Sequence, residues 1–139
     1  MWLVYAFLSA ITAALVAIFG KLGLKEIDPT LATTIRSITM AGFLVITSLF
    51  LKKFEGFSLH SFGSRDWILI ALSGIVGALS WLFYFWALKY ADAPKVVAID
   101  RMSIVFVVLL AAVFLGNALG WKSVLGALLM VLGAIMISL

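Results

Sequence analysis

Residues 96–115 read VVAIDRMSIVFVVLLAAVFL, an apolar run interrupted by one charged pair, Asp100-Arg101. A helix rises about 1.5 Å per residue, and a hydrocarbon core of about 30 Å needs about 20 residues to cross. The run is therefore long enough to span a bilayer. Residues 2–20, 31–51, 67–88 and 121–139 read the same way, so five spans fill almost the whole chain. The expected fold is an all-α integral membrane protein, a single five-helix domain over 1–139. The odd count puts the two termini on opposite faces, as two copies pairing upside down in an inverted arrangement require.

Composition points the same way. Hydrophobic residues make up 65% of the 139-residue chain and charged residues 12%. Soluble domains lie near 45–50% and about 25%. The longest break, Lys52–Asp66, leaves no room for a nucleotide-binding or soluble catalytic domain. Its Phe54, Phe57, Leu59 and Phe62 suit a short amphipathic segment at the interface. Eight of the ten Lys and Arg are scattered among connections and span ends, which gives no footprint for nucleic acid. The absence of cysteine excludes disulfides, thiolate metal sites and thiol catalysis. The single histidine, His60, reads as a residue at headgroup level. No basic residue precedes the first span, so it reads as a retained helix rather than a leader. No phosphate-binding glycine loop, HExxH pattern or serine–histidine set is present; the expectation is a non-enzyme without cofactor or metal.

Charges inside the spans are the informative exceptions. Arg36 lies in the second span, and Asp100 and Arg101 lie in the fourth. Both spans start on the same face, and these positions fall about 6–8 Å below it at 1.5 Å per residue. A charge at such depth is costly unless paired or wetted. Arg36 and Asp100 are thus expected to pair across two helices, or to border a water-accessible path. Asp100 is the one carboxylate within these spans, and so the natural proton carrier if movement through the protein is proton-coupled. The second span also carries Thr33, Thr34, Ser37, Thr39, Thr47 and Ser48, hydroxyls that bond back to their helix or line a cavity. Trp81, Phe83, Tyr84, Phe85 and Trp86 form an aromatic wall, of which Tyr84 and Trp86 keep polar atoms for lining a path. Thr39 and Ser103 are the positions at which water access discriminates a path from a sealed bundle.

Basic residues near span ends normally stay cytoplasmic. Here Lys52, Lys53, Arg65 and Lys122 on one side balance Lys21, Lys25, Lys89 and Lys95 on the other. The tie permits insertion both ways, and with it an antiparallel homodimer. Small residues mark packing faces: Ala6, Ala10 and Ala14, then Ser9, Ala13 and Ala17, in the first span, and Ser73, Gly74, Gly77 and Ala78 in the third. Gly126 and Gly133, on one face of the fifth, are the expected subunit interface. Trp2, Trp67, Trp121 and Tyr90 sit at span ends, as amphipathic rings do at headgroup level. Asp28-Pro29 and Ala93-Pro94 each open a span, where a proline costs little.

Several of these stretches resemble a known family. ALKYADAPKV (87–96), IDRMS (99–103) and FLGNALGWKSVLG (114–126) are similar to the EamA-type repeat of the drug/metabolite transporter superfamily. The opening MWLVYAFLSAITAALVAIFGKLGLKEIDPTLATTIRS (1–37) resembles the start of its single-repeat prokaryotic members. The resemblance covers essentially the whole chain. It implies a multi-pass protein of a prokaryotic cell membrane. It further implies one half of a ten-helix inverted assembly, with the lipid bilayer, a second copy and a small-molecule substrate as partners. The implied function is alternating-access transport of a small organic metabolite or drug-like solute. The alternatives are flipping of a lipid-linked intermediate, or a non-transporting assembly or scaffold subunit. Arg36 falls on an arginine common early in the second helix of the family, and Asp100 and Arg101 on the acidic-basic pair of the single-repeat group. Three positions depart from the pattern: Asn117 where glutamate is usual, Trp86 where arginine is frequent, and Pro94 where serine is usual. Together the first two trade an ion pair or gate charge for neutral groups.

Overall fold

In the computed structural model of the protein, the described residues are 1–58, 63–114, 116 and 120–139. His60, Leu59, Phe62, Leu115 and Asn117 lie outside them. The described residues form six helices and no strand: α1 (Trp2–Gly23), α2 (Pro29–Phe50), α3 (Ser64–Tyr90), α4 (Ala93–Asp100), α5 (Ser103–Phe114) and α6 (Trp121–Ser138). Counted as spans they are five, because α4 and α5 together make one membrane-length stretch, Ala93–Phe114. Large apolar side chains lie exposed along every span, Phe43, Val76, Val113 and Leu129 among them, which suits lipid rather than water as the surrounding medium.

The helix starts follow from local chemistry. Asp28 caps α2 by accepting from the backbone N–H groups of Thr30 and Leu31, at 2.9 and 3.1 Å, with Pro29 at the first helical position. Asp92 stands at the N-cap of α4, which likewise opens on a proline turn. Asp66 reaches back to the Gly63 N–H at 3.1 Å and starts α3 earlier than its hydropathy alone suggests. The end of α2 is a Schellman turn: the Lys53 N–H bonds the Ser48 carbonyl and the Lys52 N–H that of Leu49. That turn needs a left-handed residue, and Lys52 takes it at φ 54°. Beyond it, Phe54 and Phe57 meet edge to face at 6.2 Å.

The fourth span is where structure and expectation differ. A continuous helix over 96–115 was expected; two helices are found, separated at Arg101 and Met102. The N–H groups of Met102, Ile104 and Val105 reach back three residues, to Ile99, Arg101 and Met102, instead of four. This is a tight 3₁₀-type step, with neither proline nor glycine to cause it. Hydropathy is blind to such a step, because the side chains stay apolar on both sides.

The chain forms two compact units, one of residues 1–22 and 87–139, the other of residues 23–86. In the first, α6 packs on α4 and α5. The buried Ala127 and Ala134 share one face of α6, while the neighbouring Gly126 and Gly133 have open space where a Cβ would stand. On α1 the buried residue is Ala17, on the Ser9–Ala13–Ala17 stripe and not the Ala6–Ala10–Ala14 one. The second unit holds α2 and most of α3.

Candidate functional site

The second unit holds a cation on an aromatic face. Arg36 is the eighth residue of α2, about 10 Å along it at 1.5 Å per residue, somewhat deeper than the sequence boundaries suggested. Its Cζ lies 3.7 Å from the centre of the Trp81 ring and 5.7 Å from that of Phe85. Trp81 and Phe85 are four apart on α3 and so share one face. Tyr84 braces them, edge to face with Trp81 at 5.4 Å and tilted against Phe85 at 6.2 Å. A cation over such a face gains about 0.5–2 kcal/mol, the upper figure where water is excluded. Leaving an arginine at membrane depth costs about 2.5–3.5 kcal/mol on insertion scales. The rings offset only part of that cost.

A groove of about 590 Å³ opens between α2 and α3. Thr30, Thr33, Thr34 and Ser37 stand on its α2 wall, and Ala78 and Leu82 on its apolar α3 wall. The hydroxyls of Thr33, Thr34 and Ser37 donate to the carbonyls of Pro29, Thr30 and Thr33, at 2.7–2.9 Å. Their protons are thus spent within the helix, and only acceptor lone pairs are left for the groove. Both roles anticipated for these hydroxyls are filled by the same side chains. Thr39 also bonds back, to Ile35, and does not face the groove. At about 100° per residue, Arg36 lies well round α2 from Thr34 and Ala41. The stacked cation and the groove therefore occupy different sides of the α2–α3 pair.

The first unit holds the interrupted span. Asp100 is the last residue of the eight-residue α4, Arg101 and Met102 form the step, and Ser103 opens α5. Asp100 and Arg101 are exposed in the protomer. An acidic residue at the end of α4 opposes that helix dipole but favours the dipole of α5, which starts just beyond it. The anticipated pairing of Arg36 with Asp100 would join residues of different units. Tyr84 lies in the Trp81 cluster, whereas Trp86 is partly exposed, at 38%.

Two lysines beside span ends tie helix ends together. Lys21 Nζ donates to the carbonyls of Leu88 and Ala91, at 2.7 and 2.8 Å, and so caps the C-terminus of α3. Lys95 Nζ donates to the Ser138 carbonyl at the end of α6, at 3.0 Å. Helix C-termini leave unpaired carbonyls and a partial negative charge, and a cation answers both. The partners of Lys21 are 67 and 70 residues away, so no local spacing reveals them. Trp81 and Phe85 were visible as an aromatic pair; that they serve a cation was not.

The comparisons with known proteins agree with this architecture. The EamA-like transporter family profile matches residues 1–139. An uncharacterized transporter in the cobO 3' region of Sinorhizobium sp is 36% identical over 137 residues, covering 99% of this chain and 96% of the relative. No solved structure matches. A five-span helical chain matched from end to end by that family is a membrane transporter, and it belongs to the EamA-like transporter family.

Proposed function

We propose that the protein carries a small organic metabolite or drug-like solute across a prokaryotic cell membrane by alternating access, working as a homodimer. The supporting observation is the 3₁₀ step at Arg101–Met102. Irregular backbone at membrane depth is tolerated only where protein buries it or water bathes it. Interrupted spans place substrate and ion sites near the membrane interior in transporters built from inverted repeats. Here the interruption coincides with Asp100 and Arg101, the charged pair that needs water for the same reason. Asp100 is the carrier if the proposed cycle is proton-coupled, while Arg36, Arg101, Thr39, Ser103, Tyr84 and Trp86 border the path.

In an antiparallel pair the charged step occurs twice, once towards each face, so opening one copy while the other stays closed exposes the path to one side at a time. The open Gly126–Gly133 face of α6 is the proposed subunit contact, since small residues let helices approach closely in lipid. The experiment is uptake into liposomes of a solute identified by thermal-shift screening, because ligands that bind the folded state raise its melting temperature. Asp100→Asn is expected to lower uptake at least tenfold. Undiminished uptake by that variant removes Asp100 from the mechanism.

A further inference from the structure

We infer that the Arg36 guanidinium, laid on Trp81, is the recognition point for an oxyanion of the solute, a carboxylate or a phosphate group. The inference rests on the carrier reading above and supplies its substrate class.

Among the described residues of the second unit the carboxylates are Glu26, Asp28, Glu55 and Asp66. Asp28 is spent on the N–H groups of Thr30 and Leu31, Asp66 on the N–H of Gly63, and Glu55 sits 3.4 Å from Lys52. Glu26 lies in the α1–α2 connection, outside the spans. Within this unit, then, Arg36 stands inside a span with no acidic partner.

A helical side chain leans towards its own N-terminus. Arg36 therefore leans naturally towards the Pro29 end, the nearer face, where a long cationic chain would snorkel. Trp81 lies about 13 Å in from the Tyr90 end of α3, and its ring leans further inward. With Cζ 3.7 Å over that ring, the guanidinium is held across the gap between helices instead of escaping outward.

Aromatic faces answer the charge of a guanidinium but not its N–H groups, which lie in its plane and point from its edge. No described residue of its unit accepts a hydrogen bond from Arg36, and in the proposed complex the ligand takes that edge. A planar fork of donors fits two oxygens of one carboxylate or phosphate, a match that a lysine cannot reproduce. A soluble metabolite and an anionic lipid headgroup present the same oxygens, and the two are separated by experiment.

Protein in phosphatidylcholine nanodiscs is titrated calorimetrically with benzoate and with inorganic phosphate at constant ionic strength, with benzamide as the neutral twin of benzoate. A second arm uses nanodiscs containing phosphatidylglycerol. Saturable binding of an oxyanion, no response to benzamide, at least tenfold weaker binding by Arg36→Lys and none by Arg36→Gln support the inference, with a soluble solute as the source. If instead phosphatidylglycerol co-purifies with the wild type and not with Arg36→Gln, the inference stands with a headgroup as the oxyanion. Benzamide binding as tightly as benzoate overturns it, as does a folded Arg36→Gln that binds like the wild type, or no engagement of an oxyanion in either arm. Should Arg36→Gln fail to fold, unchanged affinity in Arg36→Lys overturns it. Uptake of a neutral or cationic solute that survives in Arg36→Gln ends this inference and keeps the carrier. Oxyanion binding without any uptake does the reverse.

Discussion

Lys21 shows what a single side chain does in this protein. Its ammonium reaches two carbonyls at the end of α3, in surroundings where water does not compete freely. Hydrogen bonds to charged groups contribute about 1.5–3 kcal/mol, and an unsatisfied buried carbonyl costs a similar amount. Lys21→Met is therefore expected to destabilise the protein by about 2 kcal/mol, seen as a lower melting temperature in micelles, with Lys21→Arg closer to the wild type. Lys52 offers the opposite test. It holds a left-handed conformation that a glycine adopts freely, and Lys52→Gly is expected to stabilise by about 0.5–1 kcal/mol in the same melt. Neither role is legible in the sequence. Lys21 looks like any flanking cation, because its partners are remote in the chain, and the αL turn falls on a residue type that does not announce it. Arg36 was legible as an anomaly, since one charge in an apolar run is conspicuous, but its stack on Trp81 depends on how α3 faces α2.

At the scale of elements, hydropathy located every span, because each must supply a bilayer's length of apolar residues. It placed the ends less well. Caps decide those, and Asp66 and Asp28 draw α3 and α2 outward past their apolar cores. It missed the step in the fourth span, where the backbone changes pitch while the side chains remain apolar. Tightened i→i−3 bonds are poorer than α-helical ones. Amides of residues 101–105 are accordingly expected to exchange hydrogen faster than those of residues 106–112 in nanodisc-embedded protein. Equal protection across both segments would remove the step as a weak point. The α6 faces separate in the same way. Ala127 and Ala134 serve packing within the unit, while Gly126 and Gly133 stay open. Replacing both glycines with leucine is expected to leave the melting temperature of the protomer little changed and to shift the solubilised protein from dimer to monomer in light-scattering chromatography.

For the whole molecule, membership of the EamA-like transporter family and five apolar spans fix what kind of protein this is. In two places the chain departs from an inert bundle. Each departure is costly in hydrocarbon: a cation held at depth on two rings, and a broken helix beside an acidic-basic pair. Both become tolerable if water reaches them, and a route for water at membrane depth is also a route for a solute. The most direct test uses the cysteine-free background. Ser103→Cys, at the start of α5, is probed with a hydrophilic maleimide in proteoliposomes, beside Leu128→Cys, exposed on α6 away from its glycine face, as a lipid-facing control. Rapid labelling at position 103 and none at 128 is expected. Protection of position 103 as complete as that of 128 would mean a dry, sealed step, and would contradict a water route there.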